Sequence, residues 1–197
     1  MPMDSHVLAE NPAVDLAIAQ AMAEELEEYI VKDDLYRTVI VKAPGGEVRV
    51  QMTGGDLLTR LHRLNGERAR LTPQQQAALD EVTQSAERTI YSLKTRFHNR
   101  LQREMKARID SLRWFLDEAV DEPQRARANY PYEIRNRQRI EEILKRLGDS
   151  LPDDLAAQLE DVDRRLRTIT SGSEFIWDPA LSGAFPQYPY WYLYARI

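Results

Sequence analysis

Three histidines, an acidic run near the N-terminus and a glycine pair are the residues whose types and spacing could support chemistry. From Glu10 to Asp34, eight acids (Glu10, Asp15, Glu24, Glu25, Glu27, Glu28, Asp33, Asp34) stand against Lys32 alone, a net charge of −7. That density suits a hard cation in principle, but carboxylates along an exposed helix face point into water and do not converge on an ion. His6, His62 and His98 come with no HExxH pattern and no carboxylate at ligand spacing, so no metal is assigned to them. Pro44-Gly45-Gly46 lacks the lysine and the strand-to-helix setting of a phosphate loop and reads as a turn. Cysteine is absent, which removes thiolate nucleophiles, thiolate metal sites and disulfides together. The sequence also lacks G-x-S-x-G, Glu-x-x-His and any glycine-rich nucleotide fingerprint. It is read as a non-enzyme, with no catalytic residue, cofactor or metal expected.

Two constellations remain for binding. Residues 175–197 hold eight of the sixteen aromatics, and Trp177, Tyr188, Tyr190, Trp191, Tyr192 and Tyr194 are the candidate partner-binding residues. Packing within the chain or across a dimer, contact with a foreign protein, and an interfacial lipid contact are the readings of that tail. The second constellation lies between Arg88 and Arg113, where eight bases face two acids and Arg96, Arg100 and Arg103 share a flank suited to phosphates. The whole chain carries a net charge of −5, which opposes a broad affinity for nucleic acid or anionic membrane.

The elements that must carry these residues are mostly helical. Thr72, Pro73 and Gln75 spell a capping box with proline at the first helical position. Apolar residues then recur at Leu79, Val82, Ala86, Ile90, Leu93, Phe97, Leu101, Met105, Ile109, Leu112, Leu116 and Val120. The mean step is about 3.7 residues, above the 3.5 of a supercoiling heptad, so a nearly straight helix over 72–120 is predicted. At about 70 Å it exceeds the roughly 40 Å diameter of a compact chain of this size. The molecule is then elongated, or the helix kinked, or part of the stripe covered by a second chain. Because the N-terminal helix is too short to shield it all, a second subunit is expected.

Asn11-Pro12 opens an acidic amphipathic helix over 12–33, with Val14, Ile18, Met22, Leu26 and Ile30 as its apolar positions. Two-residue alternation over 35–53 predicts a β-hairpin. A pairing centred on Gly45-Gly46 sets Val41 opposite Val50 and Val39 opposite Met52. A short helix over 56–64 stops at Asn65-Gly66. Pro131 opens a returning arm over 131–170, broken at Gly148 and read as two collinear or slightly bent helices folded back on the long one. Its acids between Asp149 and Asp163 are expected to face the basic stretch 88–113. Tyr190 to Arg196 is predicted to be a strand joining the 35–53 hairpin, because two strands alone are marginal in water.

The expected fold is thus mainly α within α+β. It comprises a long antiparallel helical hairpin with an N-terminal helix, plus a small antiparallel sheet (hairpin 35–53, joined by strand 190–196), in one domain over 1–197. The expected function is a non-enzymatic interaction or scaffold protein, a homodimer contacting an unknown protein partner, with nucleic-acid binding as the alternative. The first ten residues lack a basic region and an apolar core, and no apolar run approaches a membrane span, so a cytoplasmic setting is expected.

Overall fold

The computed structural model describes residues 11–33, 36–43 and 46–197; His6, and the Pro44-Gly45 turn, lie outside the described residues. The chain is mainly α with small antiparallel sheets, and it divides into two compact units between Arg100 and Leu101.

In the first unit, α1 (Pro12–Lys32) begins where the Asn11 side chain accepts a hydrogen bond from Ala13 N at 2.9 Å, and it ends at Asp33 with φ 59°. Its buried face, Ile18, Ala19, Met22, Leu26, Tyr29 and Ile30, packs on β1 (Arg37–Ala43), α2 (Gly54–Gly66) and α3 (Pro73–Ser92). β1 pairs antiparallel with β2 (Gly46–Met52). Val39 lies opposite Val50 and Val41 opposite Val48, two residues off the register expected from the glycines. The ladder runs as far as Ala43 opposite Gly46, so Gly46 (φ 136°) is a strand residue. A two-residue slip preserves side-chain parity, so the valines keep the predicted inner face. α2 starts at the Thr53 cap, two residues earlier than predicted, and buries Leu57, Leu58, Leu61 and Leu64.

The capping box of α3 forms as read: Gln75 N donates to Thr72 Oγ1 at 3.2 Å, and Thr72 N donates to Gln75 Oε1 at 2.9 Å. The long helix is interrupted only at Leu93 (φ −117°, ψ 28°), beyond which α4 (Lys94–Asp121) continues. Leu93 N still donates to Thr89 O and Phe97 N to Leu93 O, so the ladder holds on both sides of the departure. Every stripe residue is buried except half-buried Leu93 and Val120, which is 74% exposed. The expectation that one copy cannot cover this stripe is therefore overturned. Along α3, α2 packs beside the 21-residue α1 and adds to the cover. Burying a Leu or Ile is worth about 1.5–3 kcal/mol against about 0–1 for an exposed ion pair, so this stripe dominates the helix's contribution to stability.

In the second unit, the helix α5 (Pro123–Glu133) fills what was read as a linker, and α6 (Arg135–Leu147) and α7 (Asp153–Ile169) follow. The two halves of the returning arm are neither collinear nor slightly bent. Arg137 donates to Asp163 from Nε at 2.7 Å and from Nη2 at 3.0 Å, whereas 26 residues of continuous helix would separate them by about 39 Å. Gly148 (φ 50°) turns the chain, so α6 and α7 pack side by side. α7 then runs parallel to α4: Gln102 bonds Ser150 O, Arg113 bonds Gln158 and Arg165 bonds Asp117. The expected acid-on-base match does not set this alignment. Asp163 is taken by α6, and at Asp117 the acid sits on α4 and the base on α7.

The tail does not join the hairpin. Trp191–Tyr194 is a short 3-10 turn, and β4 (Ala195–Arg196) pairs with β3 (Ser171–Gly172), directly after α7, in a separate sheet. Backbone bonds from Ser173 N to Tyr194 O (2.9 Å) and Ile176 N to Leu193 O (3.0 Å) hold the returning segment.

Candidate functional site

The largest gathering of functional groups in the second unit lies between α6 and the tail. Arg137, Gln138, Glu141, Glu142 and Lys145 recur at helical spacing on α6, and all but Lys145 are buried. Glu142 Oε1 accepts from the Tyr190 hydroxyl at 2.5 Å and from Gln138 Nε2 at 3.2 Å, and Lys145 Nζ donates to both Glu142 and the Tyr190 oxygen. Beside this group, Arg137 holds Asp163 with two parallel bonds, donates to Glu141 at 3.0 Å and lies 4.7 Å from the Tyr192 ring centroid. Fork-to-carboxylate pairing fixes a planar guanidinium in one orientation, which sets the seat for Tyr192.

The tail seals this seat through rings packed edge to face. Phe185 meets Trp177 at 5.6 Å and Tyr190 at 5.1 Å, both nearly perpendicular, and Tyr190 meets Tyr192 at 6.3 Å. Tyr130 OH donates to Tyr192 O at 2.9 Å, Trp177 Nε1 to Pro131 O at 2.8 Å and Tyr194 OH to Phe185 O at 2.9 Å. Trp191 lies under Arg167, whose guanidinium carbon is 3.7 Å from the ring centroid.

Of the candidate partner-binding residues, Tyr190 and Tyr192 are therefore buried, Trp177, Trp191 and Tyr194 are half-buried with their polar or π groups engaged, and Tyr188 alone is free in solvent at 89% exposure. The tail is a clasp over its own helices. Arg137, Glu141, Glu142, Lys145 and Asp163 are each held by an opposite charge, and Glu142 and Lys145 also by the Tyr190 hydroxyl, an arrangement that positions side chains.

Burial raises the ionisation of the Tyr130 hydroxyl, with Asp163 adding to the effect. Burial likewise raises Tyr190, with Glu142 reinforcing it, and Tyr192. A folded pKa above the unfolded value of about 10 contributes stability below that pH and loses it as pH rises beyond. Phenolate absorbance of the wild type is expected to show these three tyrosines ionising only together with loss of helical signal above pH ~10. A Tyr190→Phe variant should show one fewer such tyrosine, and ionisation of all tyrosines ahead of unfolding would refute the seat.

The basic trio is divided. Arg96 and Arg103 are exposed, but Arg100 is buried, its guanidinium 3.8 Å from the Tyr29 ring centroid and bonded to Asp33 at 3.1 Å. A second buried ionic group lies in the first unit and was not legible as a site. Asp15 of α1 accepts from Arg60 and, at 2.7 and 2.8 Å, from Arg63, both on α2. Glu67, bonded to Arg70, has its carboxyl raised by burial. Glu25 and Glu28, read as part of a solvated acidic face, both accept from Arg37 of β1. His98 is buried and His62 half-buried, and among the described residues no group of three or more His, Asp and Glu is placed to hold a metal ion. Among the described residues no helix is long and apolar enough to cross a membrane. Compared with known proteins, the chain matches no family model, no curated protein and no solved structure.

Proposed function

We propose that the protein is a non-enzymatic interaction module that works by self-association and protein contacts, in a cytoplasmic setting consistent with its cysteine-free sequence. With the long stripe and the tail enclosed, the observation that supports this reading is the incomplete cover of the β-hairpin. Ile40 stands 54% exposed on its outer face, and Val48 and Val50 are only half-buried on its inner face. Two strands without further cover are marginal in water, and half-covered valines beside a strand edge gain by contact with another surface. The nucleic-acid alternative is left with Arg96 and Arg103, because Arg100 is committed to Asp33 and Tyr29. Sedimentation velocity over a concentration series tests the reading: a dimer whose fraction grows with concentration is expected. A single monomeric boundary up to about 100 μM, a range in which binding weaker than about 5–6 kcal/mol goes unseen, would remove self-association.

A further inference from the structure

We propose that β2 pairs with β2 of a second copy, antiparallel and centred on Val48, joining two hairpins into one four-stranded sheet. The inference rests on the self-association reading and names its surface. Among the described residues the sheet contains β1 and β2 alone, and no described strand neighbours the outer edge of β2. Unpaired strand edges are templates for another strand, and a second identical edge satisfies the same groups by two-fold symmetry.

The two edges of this sheet are not equivalent. On the β1 side, Val39 and Val41 are 3% and 5% exposed, because α1 packs beneath that strand. On the β2 side, their cross-strand neighbours Val50 and Val48 are only half-buried, although Met52 at the end of the strand is buried, so the cover of the apolar face thins toward the β2 edge around Val48. Added strand and added cover are both wanted there.

Charge selects the register. Glu47 and Arg49 are exposed on the outer face of β2, two residues apart. A two-fold pairing centred on Glu47 places that carboxylate against its own copy, and one centred on Arg49 places guanidinium against guanidinium. Centring on Val48 sets Glu47 opposite Arg49 of the second copy and Arg49 opposite Glu47, two opposite-charge pairs from one contact. Directly opposed like charges destabilise an antiparallel pair and opposite charges stabilise it. The same register brings Val48 against Val48 on the inner face, where the half-buried valines lie, and Gly46 against Val50, which leaves room at the ends.

The full-length protein, free of cysteine, permits a direct test. At the two-fold axis the Cα atoms of residue 48 would be about 4.5–5.5 Å apart, within the span of a disulfide. Val48→Cys is therefore expected to form a disulfide-linked dimer under mild oxidation, and Gln51→Cys, away from the axis, to form far less. Glu47→Arg should weaken the dimer about tenfold or more in sedimentation velocity, and the double variant E47R/R49E should restore it, since it recreates both opposite-charge pairs. The double variant also controls for the hairpin itself, because it keeps the new arginine opposite Lys42 yet regains the dimer. If the wild type dimerises but is insensitive to Glu47→Arg and Val48→Cys does not cross-link, the β2 pairing is overturned and self-association stands on another surface. If the wild type is monomeric throughout, both fall together.

Discussion

Replacing Asp15 with alanine is expected to cost about 3–5 kcal/mol in urea unfolding followed by circular dichroism, because it strips two buried guanidiniums of their shared carboxylate. Asp15 has no solvent exposure at its side chain, and Arg60 and Arg63 have only 7% and 5%. Neither arginine can shed its proton to escape the cost, and burial already works against the charge on Arg60. A domain of this size has about 5–15 kcal/mol in total, so the first unit should unfold at much lower urea. Arg68→Ala, whose ion pair with Asp80 is exposed, is the matching control and should shift stability by less than about 1 kcal/mol. Equal losses for the two variants would mean that the Asp15 group is solvated in the molecule.

Phe185→Ala is the second large effect. Phe185 is fully buried between Trp177 and Tyr190, and its backbone oxygen anchors Tyr194. Removing the ring leaves a cavity at the centre of the clasp, for an expected loss of about 3–5 kcal/mol. Tyr188→Ala lies three residues away in sequence at a solvent-exposed ring and should stay within about 0.5 kcal/mol. Tail residues 175–197 should become susceptible to proteolysis in the first variant and remain resistant in the second. A tail equally resistant in both would show that the rings do not hold it.

The local grammar of the fold was legible from single residues. Asn11-Pro12 and the Thr72/Gln75 box form the caps that their types dictate, and alternation over β1 and β2 placed Val39, Val41 and Val48 on one face even though the register was two residues off. Partner identity was not legible. Asp15 was counted with a solvated acidic run, yet it lies four residues before Ala19 and seven before Met22, on the buried face of α1. That spacing was the available signal for a buried carboxylate, and the matching arginines at 60 and 63 lie too far along the chain for periodicity to connect them.

The same limit explains the charged face of α6. Arg137, Glu141 and Glu142 are charged side chains on a helix, and nothing local to 135–147 announces that a segment some fifty residues later will cover them. The tail was misplaced for a related reason. The strand reading of Tyr190 to Arg196 came from the want of a third strand beside the hairpin, but Tyr190 and Tyr192 found a carboxylate and a guanidinium on α6, and side-chain partners outweighed a weak strand preference. Arg100 was grouped with Arg96 and Arg103 by spacing along α4, whereas Asp33 and Tyr29 turn it inward.

Amide hydrogen exchange at two protein concentrations, one well below and one well above the dimer midpoint, tests most directly whether association runs through the open hairpin of an otherwise closed chain. Slower exchange at high concentration confined to peptides covering residues 46–52, with residues 175–197 unchanged, is the result this account predicts. Protection that grows over 175–197 while 46–52 exchanges at the same rate in both samples would contradict it.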